Sequence, residues 1–312
     1  MHQLLAPPGE CEVMIYNKEV KEAMHANDVA LVIEGGGMRN AYTAGCIDQL
    51  LAHDIHFGWV GGVSAGASHT VNFLSHDRQR SRLSFVELAS DPKSGGVKSM
   101  LRGKGYFNVE YIYETAGAPG GDIPFDWETF CQDPTPMCIA ATRADTGENV
   151  YWGREDFADL YDLMRKARAS STLPGLMPVP EIDGVEYVDG ALGESGGLLI
   201  QAAMDAGFEK FLVLRSKPRG YIRPELSKPA VVRKLLRKRP VVAEAMIKRP
   251  ARYNAEAKKI DQLEAQGQAM VFYPEHLSIE NTERNREKLE HAWNCGVEQT
   301  KREWDSWMEF LS

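Results

Sequence analysis

The sequence predicts an α/β fold with a largely parallel central sheet. The first observation behind this prediction is a short apolar, β-branched run at residues 29–33 (VALVI), which is typical of a strand buried on both faces. The second is the order strand, glycine-rich turn and helix, which occurs twice in succession within residues 29–74. Successive units of this kind place their strands side by side in one sheet. At 312 residues, the chain is long enough for one large domain or two modest ones.

The predicted elements follow one another along the chain. Residues 1–27 are polar and interrupted by prolines and a glycine, so we expect an extension that leads into the fold. Residues 41–52 place apolar side chains on one face of a helix. Residues 76–135 show no long periodicity, which predicts loops and short helices that form a lid over a pocket. The other expected elements are strands at 56–63, 137–141, 185–188, 208–214 and 269–273 and helices at 65–74 and 278–312.

Composition excludes several classes of protein. Hydrophobic residues make up 43% and charged residues 26%, so a disordered chain, a coiled coil and a collagen-like repeat are excluded. No apolar run approaches the ~20 residues of a transmembrane helix. The N-terminus lacks the basic start and apolar stretch of a signal peptide, and the five cysteines show no paired spacing. We therefore expect a cytoplasmic protein with no disulfide framework, no metal site and no cofactor.

Charge is distributed unevenly along the chain. The net charge is −8, yet residues 215–259 contain 15 Lys and Arg against 3 Asp and Glu. The rest of the chain holds 21 basic and 41 acidic residues, a net charge of −20. An acidic protein with one basic segment is a poor general binder of nucleic acid, so we expect no nucleic-acid partner.

One motif has the arrangement of a catalytic serine. Residues 62–66 (GVSAG) match G-x-S-x-G between a predicted strand and a predicted helix. In a nucleophile elbow, this sharp turn lifts the hydroxyl of Ser64 above the sheet edge, while Gly62 and Gly66 keep neighbouring atoms clear of the strained backbone. The alternative is a glycine-rich turn in which Ser64 only caps the helix.

A second glycine-rich segment, residues 35–40 (GGGMRN), follows the first predicted strand. Its three glycines allow backbone N–H groups to converge on a small anion at a helix N-terminus. Dinucleotide binding is disfavoured, because Asn40 replaces the last glycine of G-x-G-x-x-G and no acidic residue ends the second predicted strand. An oxyanion hole for the charge that develops on an acyl oxygen is the better interpretation.

A serine nucleophile needs a base, and the histidines are poor candidates. Ordinary α/β-hydrolases have the order Ser, Asp or Glu, then His, but His276 and His291 both lie in charged segments. His69 is expected on the helix after Ser64, directed away from the elbow. Asp189 is the better candidate, since it ends a predicted strand and precedes a glycine; a simple D-G turn has the same letters.

Three motifs together, EGGGMR, GVSAG and YVDGA, resemble those of the patatin-like phospholipase family in order and context. The stretch ASSTLPGLMPVPEIDGVEYVDGA is also similar to that family's approach to its aspartate. The resemblance covers residues 28–200. It implies a three-layer α/β/α fold and a Ser–Asp dyad that hydrolyses acyl esters of lipids without a metal.

The resemblance also implies roles for individual residues. Ser64 is expected to be the nucleophile and Asp189 the general base. The residues expected to line the oxyanion site are Gly35, Gly36, Gly37 and Arg39. The family has a glycine in place of Asn40, and we expect the turn to survive, because Asn tolerates positive φ. On this basis Asn40→Gly should leave activity equal or higher.

Within the family, the chain is most similar to a bacterial branch with an extra C-terminal region. The expected organisation is therefore an N-terminal extension (1–27), an acyl-hydrolase domain (28–200) and a mainly helical C-terminal region (201–312). The sequence does not indicate the oligomeric state.

Three alternative functions stay open. The chain could be an acyltransferase that uses the same dyad, or an esterase with a triad that includes His276 or His291. It could also be a catalytically weak lipid-binding protein, with Asn40 marking a lapsed site.

The basic segment predicts a further contact. Within residues 231–239, valine and leucine alternate with arginine and lysine, the pattern of a helix at a membrane surface. The alternative is a solvated helical face that balances acidic regions of the fold. We expect peripheral contact with an anionic membrane, in addition to a lipid or acyl-ester substrate.

Overall fold

The structure is a computed structural model that describes residues 23–312. Most of the predicted N-terminal extension (1–27), namely residues 1–22, lies outside the described residues. Its last part was predicted wrongly, because the first strand, β1 (Met24–Ile33), already begins at Met24. The strand extends this far because residues 24–26 pair with residues 55–57 of the neighbouring strand.

The described residues form eight strands and ten α-helices. The strands after β1 are β2 (Ile55–Val63), β3 (Met137–Arg143), β4 (Asn149–Trp152), β5 (Glu181–Ile182), β6 (Val185–Asp189), β7 (Lys210–Leu214) and β8 (Ala269–Phe272). The helices are α1 (Asn40–Ala52), α2 (Ala65–Leu74), α3 (Arg78–Arg82), α4 (Val97–Leu101), α5 (Trp127–Gln132), α6 (Leu160–Ser170), α7 (Ile200–Asp205), α8 (Pro229–Leu235), α9 (Pro240–Ala265) and α10 (Arg286–Leu311). Two π-helical segments occur at Leu83–Leu88 and Tyr111–Thr115.

The strands form one sheet in the order β5-β6-β3-β2-β1-β7-β8, and β4 also pairs with β3. The five strands from β3 to β8 along this order are parallel. Strands β4 and β6 run antiparallel to β3, and β5 runs antiparallel to β6. The predicted, mostly parallel sheet is confirmed.

Helices cover both faces of this sheet. Along β1, Val29, Leu31 and Ile33 belong to an apolar cluster with side chains of α1, α2 and α10. The alternate residues Ala30 and Val32 belong to a second cluster with side chains of α7 and α9. Because successive side chains of a strand point to opposite faces, β1 lies between two helical layers. The three-layer α/β/α arrangement is confirmed.

The part of the chain after residue 200 joins the same sheet and the same helical layers. Strand β7 pairs with β1, and β8 pairs with β7. Helix α10 crosses α1 at a contact between two glycines: a Cβ on Gly45 would lie 2.3 Å from the carbonyl oxygen of Trp293, and one on Gly296 would lie 2.0 Å from that of Tyr42. The division at residue 200 therefore stays a prediction, and the sheet continues across it.

The basic segment forms two helices that each have a proline in the first turn, where the missing N–H costs nothing. Helix α9 was not expected, because Pro250 interrupts its pattern and charged residues alternate with its apolar ones. In the part of the chain that the structure describes, no helix combines the length and apolar character needed to span a bilayer.

Candidate active site

Ser64 occupies the sharp turn between β2 and α2. Its backbone has φ 58° and ψ −125°, a conformation that non-glycine residues adopt only when the surroundings impose it. The surroundings here include Ser170, whose Oγ accepts a hydrogen bond from the Ser64 N–H at 2.9 Å and donates one to the Ala140 carbonyl at 2.7 Å. The predicted strand–serine–helix geometry is present, and the strain is held by β3 and α6.

Gly62 and Gly66 allow the elbow to pack against the sheet. A Cβ on Gly62 would lie 2.4 Å from the carbonyl oxygen of Gly66. One on Gly66 would lie 2.2 Å from the carbonyl oxygen of Ile33 in β1. These are backbone contacts that cannot move aside, so both positions need glycine for steric reasons.

The glycine loop, residues 35–37, passes directly over Ser64. A Cβ on Gly35 would lie 3.1 Å from the Cβ of Ser64. The N–H of Gly35 donates to the Gly197 carbonyl, and that of Met38 donates to the Asn281 carbonyl. Within the described residues, the N–H groups of Gly36 and Gly37 have no acceptor. Of the three predicted glycines, these two can therefore donate to a negatively charged oxygen, whereas Gly35 cannot do so without losing its present bond.

The expectation for Asn40 was wrong. Its φ is −71°, and the positive φ of this turn falls on Gly37, at 59°. The Asn40 side chain is buried, and its Nδ2 donates a hydrogen bond of 2.9 Å to the Glu34 carbonyl at the start of the glycine loop. Asn40 therefore ties the loop to the first turn of α1.

Glu34 anchors the same loop from the other side. It is fully buried, and its carboxylate accepts hydrogen bonds from the Arg215 Nε at 2.8 Å, the Ser216 N–H at 2.9 Å and the Tyr253 hydroxyl at 2.9 Å. The Ser216 hydroxyl also donates to the Gly35 carbonyl. The end of β7 and helix α9 thus fix the position of the glycine loop.

Asp189 ends β6 and is 2% exposed. Its Oδ1 accepts a hydrogen bond from the Ala191 N–H at 2.9 Å. Burial raises the pKa of this carboxyl, against the opposing effects of the Arg249 charge, the Ala191 N–H and the nearby Ser64 hydroxyl. The Ser64 hydroxyl lies near the Asp189 carboxylate and lowers its pKa, but the two groups do not meet the geometric criteria of a hydrogen bond. Asp189 is therefore a carboxylate of increased basicity beside Ser64.

Ser64, Asp189, the three glycines of the loop and Arg39 all line one cavity of about 190 Å³. Arg39 also forms an ion pair with Glu280 at 3.0 Å. An apolar wall lines part of the cavity, and about half of its side chains come from the predicted lid region, including both π-helical segments. Its larger apolar side chains are Val71, Phe85, Leu88, Phe107, Val109, Ile112, Ile123, Phe125, Leu160, Leu163, Met164, Leu173 and Met177.

No histidine among residues 23–312 lines this cavity. His69 is fully buried, its Nε2 lies 3.0 Å from the Asn40 carbonyl, and burial lowers its pKa to about 3, so it is neutral. His276 and His291 are exposed. In the same part of the chain, no three His, Cys, Asp or Glu side chains are grouped in a way that could hold a metal ion.

The structure adds site residues that sequence reasoning missed. The Tyr113 hydroxyl lies 2.8 Å from the Ser68 and Ser171 hydroxyls, in a chain of hydrogen bonds that lines the cavity beside Ser64. Arg223 and Arg249 also line the cavity. Ser171 lies in the stretch that begins at Ala169 and resembles the family's approach to its aspartate. The sequence provided no signal for the two arginines except that they belong to the basic segment.

Comparisons with known proteins show which family the chain resembles. Residues 31–201 match the family model described as patatin-like phospholipase, and residues 239–312 match a domain of unknown function, DUF6363. The uncharacterized protein YjjU of Escherichia coli (strain K12) is 27% identical over 201 residues, which are 61% of this chain and 52% of that protein. The chain thus spans about half the length of this curated relative.

Among solved structures, VipD from Legionella pneumophila aligns over 89% of this chain and 67% of its own, with 12% identity and a TM-score of 0.48. The patatin-like match alone covers more than half of the chain. On that match, the chain belongs to the patatin-like phospholipase family.

Proposed function

We propose that the chain hydrolyses acyl esters of lipids, with Ser64 as the nucleophile and Asp189 as the general base. The observation that carries the proposal is the convergence of three groups in one cavity. They are a serine in a strained elbow, a buried carboxylate beside it and two backbone N–H groups without an acceptor. Family membership supports the lipid substrate class.

In the first half of the reaction, the Asp189 carboxylate takes the proton of Ser64 while the serine oxygen attacks the ester carbonyl carbon. The carbonyl oxygen becomes negatively charged and accepts hydrogen bonds from the N–H groups of Gly36 and Gly37. When the tetrahedral intermediate collapses, the alcohol leaves with the proton from Asp189. An acyl group then remains on Ser64.

In the second half, Asp189 takes a proton from a water molecule, which attacks the acyl-serine carbonyl. The same two N–H groups stabilise the second tetrahedral intermediate. Its collapse returns the proton to Ser64 and releases the carboxylic acid. The apolar wall of the cavity is suited to an acyl chain, because burial of each CH₂ group contributes about 0.8 kcal/mol.

Labelling with a fluorophosphonate, followed by a panel of lipid and soluble esters, tests this proposal. We expect the probe to label the wild type and Ser84→Ala, a change at another serine of the cavity, but not Ser64→Ala. Hydrolysis of the esters should disappear with the label. A wild-type protein that resists the probe and hydrolyses no ester would support a lipid-binding protein without catalysis.

Product analysis with and without an added alcohol separates hydrolysis from acyl transfer. We expect free fatty acid as the main product in both conditions. A predominant acylated alcohol would identify an acyltransferase that uses the same dyad. The lapsed-site alternative loses its original support, because Asn40 holds the glycine loop in place.

For membrane contact, we propose the surface of α8 and the turn that follows it. Val231 and Leu235, one helical turn apart, are 48% and 77% exposed, and no residue of α8 is buried. Arg233 and Arg239 pair with glutamates of the fold, which supports the solvated-face alternative for these two. Lys234, Arg237 and Lys238 are exposed, have no such partner among the described residues and lie within a few residues of the exposed apolar side chains in the sequence.

Vesicle co-sedimentation tests this surface. Changing its three unpaired cations to glutamine should weaken binding to anionic vesicles about 100-fold at low salt, since each cation near the bilayer contributes about 1 kcal/mol. The control makes the same change in net charge at three exposed cations of α9 and α10, Lys258, Lys301 and Arg302, of which the last two form ion pairs. Equal binding by both triple variants, or binding that salt does not weaken, would contradict the proposal.

A further inference from the structure

Two arginines of the active-site cavity have no hydrogen-bond or carboxylate partner among the described residues, although the Arg223 guanidinium lies 4.5 Å from the centre of the Tyr253 ring. Arg223, after β7, and Arg249, in α9, both line the cavity that contains Ser64 and Asp189. The Nε atoms of both are buried without a hydrogen-bond partner. Within the described residues, neither guanidinium donates a hydrogen bond or forms an ion pair.

Other arginines of the basic segment behave differently. Arg215 pairs with Glu34, Arg219 with Glu264 and Arg239 with Glu186. Arg237 and Arg252 also lack a carboxylate partner, but Arg237 is exposed and Arg252 donates to the Leu192 carbonyl at 2.7 Å. Within the basic segment, only the two arginines at the cavity have a buried Nε without a hydrogen-bond partner.

The charges at this end of the cavity are also crowded. Burial and the charge of Arg223 oppose the charged form of Arg249 and lower its pKa. Burial together with Arg39 and Arg223 lowers the pKa of Lys217 to about 8. A buried, unpaired charge is costly, and like charges nearby increase the cost. Asp189 offsets part of it through its charge. A bound anion would offset the rest of this free-energy cost.

We propose that Arg223 and Arg249, which lie outside the residues that match the patatin-like family model, form the subsite that binds the phosphate group of the substrate beside the ester that Ser64 attacks. This inference rests on the function proposed above. Arginine side chains present paired N–H donors that match phosphate oxygens, and hydrogen bonds of this kind are strong. The subsite shares one cavity with the apolar wall, so one molecule can place its acyl chain on the wall and its phosphate on the arginines. An acylglycerol phosphate has both groups, which favours a lipid headgroup over free phosphate as the ligand.

The test compares an acylglycerol phosphate with the monoacylglycerol of the same chain, both presented as monomers. The variants are Arg223→Gln and Arg249→Gln, with Arg249→Lys as the conservative change. Lys248→Gln, an exposed cation next to Arg249, is the matched control. Thermal unfolding of each variant checks that it is folded. The quantity measured is the ratio of kcat/KM for the phosphate ester to kcat/KM for the neutral ester.

We expect the wild type and Lys248→Gln to prefer the phosphate ester. Each glutamine variant should lower the ratio about 10- to 100-fold, which is the range for losing one charge-assisted hydrogen bond. Arg249→Lys should retain part of the preference. Inorganic phosphate should inhibit hydrolysis of the neutral ester by the wild type. It should inhibit the same reaction of the glutamine variants much less.

Two results would overturn the inference. Equal losses on both esters would show that the arginines only position Asp189. Inhibition by inorganic phosphate without preference for the phosphate ester would identify free phosphate as the ligand. If neither ester is hydrolysed, the proposed function fails, and the subsite is then tested by calorimetry of acylglycerol phosphate binding to Ser64→Ala with and without Arg249→Gln. Equal affinities in that experiment would refute the subsite by itself.

Discussion

Replacing Asn40 with glycine is expected to weaken the oxyanion loop. The substitution restores the family's residue, yet it removes the Nδ2 group that holds the Glu34 carbonyl at 2.9 Å. Both residues are buried, so water cannot readily replace the lost donor. The backbone at position 40 has φ −71°, so glycine relieves no strain there.

The size of the effect follows from these contacts. A buried carbonyl that loses its donor costs about 1–3 kcal/mol. Glycine at the start of α1 adds a few tenths of a kcal/mol relative to asparagine. We therefore expect the free energy of unfolding to fall by about 2 kcal/mol, and Tm by about 3 °C for a chain of this size. Because the loop carries the N–H groups of Gly36 and Gly37, kcat should fall with little change in KM.

The assay is thermal unfolding together with steady-state hydrolysis of a soluble ester. Asn40→Asp keeps the size of the side chain and removes the donor, so it should lose stability and kcat as well. Ala251→Gly, on an exposed position of α9, measures the cost of a helical glycine alone and should leave kcat unaffected. A glycine variant at position 40 that is as stable and as active as the wild type would refute the reasoning.

Three further predictions concern the dyad, its pH dependence and the crossing of α1 and α10. Ser64→Ala and Asp189→Asn should each reduce kcat at least ~1,000-fold, and the double variant should be little worse than either, because residues that act as a unit lose activity non-additively; additive losses would contradict a dyad. As pH falls through the raised pKa of Asp189, the base becomes protonated, so kcat/KM should decline with a midpoint above 3.8. Arg249→Gln should move this midpoint higher, because the positive charge of Arg249 lowers the pKa of Asp189. A midpoint below 3.8 in the wild type would be inconsistent with burial as the main influence. Gly296→Ala should destabilise the protein by about 1–3 kcal/mol, because its Cβ would meet the Tyr42 carbonyl oxygen at 2.0 Å, whereas Glu298→Ala, on the exposed side of α10, should cause little change in urea unfolding.

Local patterns of the sequence predicted the first half of the fold well. Strand, turn and helix up to residue 74 follow from apolar periodicity and glycine positions, and these are short-range signals. Ser64 and Asp189 were predicted for the same reason, since each follows a strand at a characteristic turn. The C-terminal region was predicted to be mainly helical, but α9 was not predicted as an individual helix, because Pro250 and interspersed charged residues interrupt its apolar pattern.

The remaining site features depend on contacts between distant parts of the chain. Gly37 has the positive φ expected for Asn40, and the next residue, Met38, donates its N–H to the carbonyl of Asn281, far along the chain. Arg249 lines the same cavity as Asp189 because α9 packs on the face of β1 opposite to α1. Arg223 joins it from the segment after β7, whose backbone is hydrogen-bonded to the Asn254 side chain of α9. No local pattern distinguishes these two arginines from their neighbours in the basic segment.

The central position of β1 has a consequence for how the protein is made. Its two neighbours in the sheet are β2, which follows soon after it, and β7, which lies about 180 residues later in the chain. During synthesis, one side of β1 therefore stays without a partner until residues 210–214 have left the ribosome. An unpaired apolar strand edge can join the edge of another chain, so nascent or truncated forms that end before β7 should aggregate, and their recovery should depend on chaperones that shield this edge.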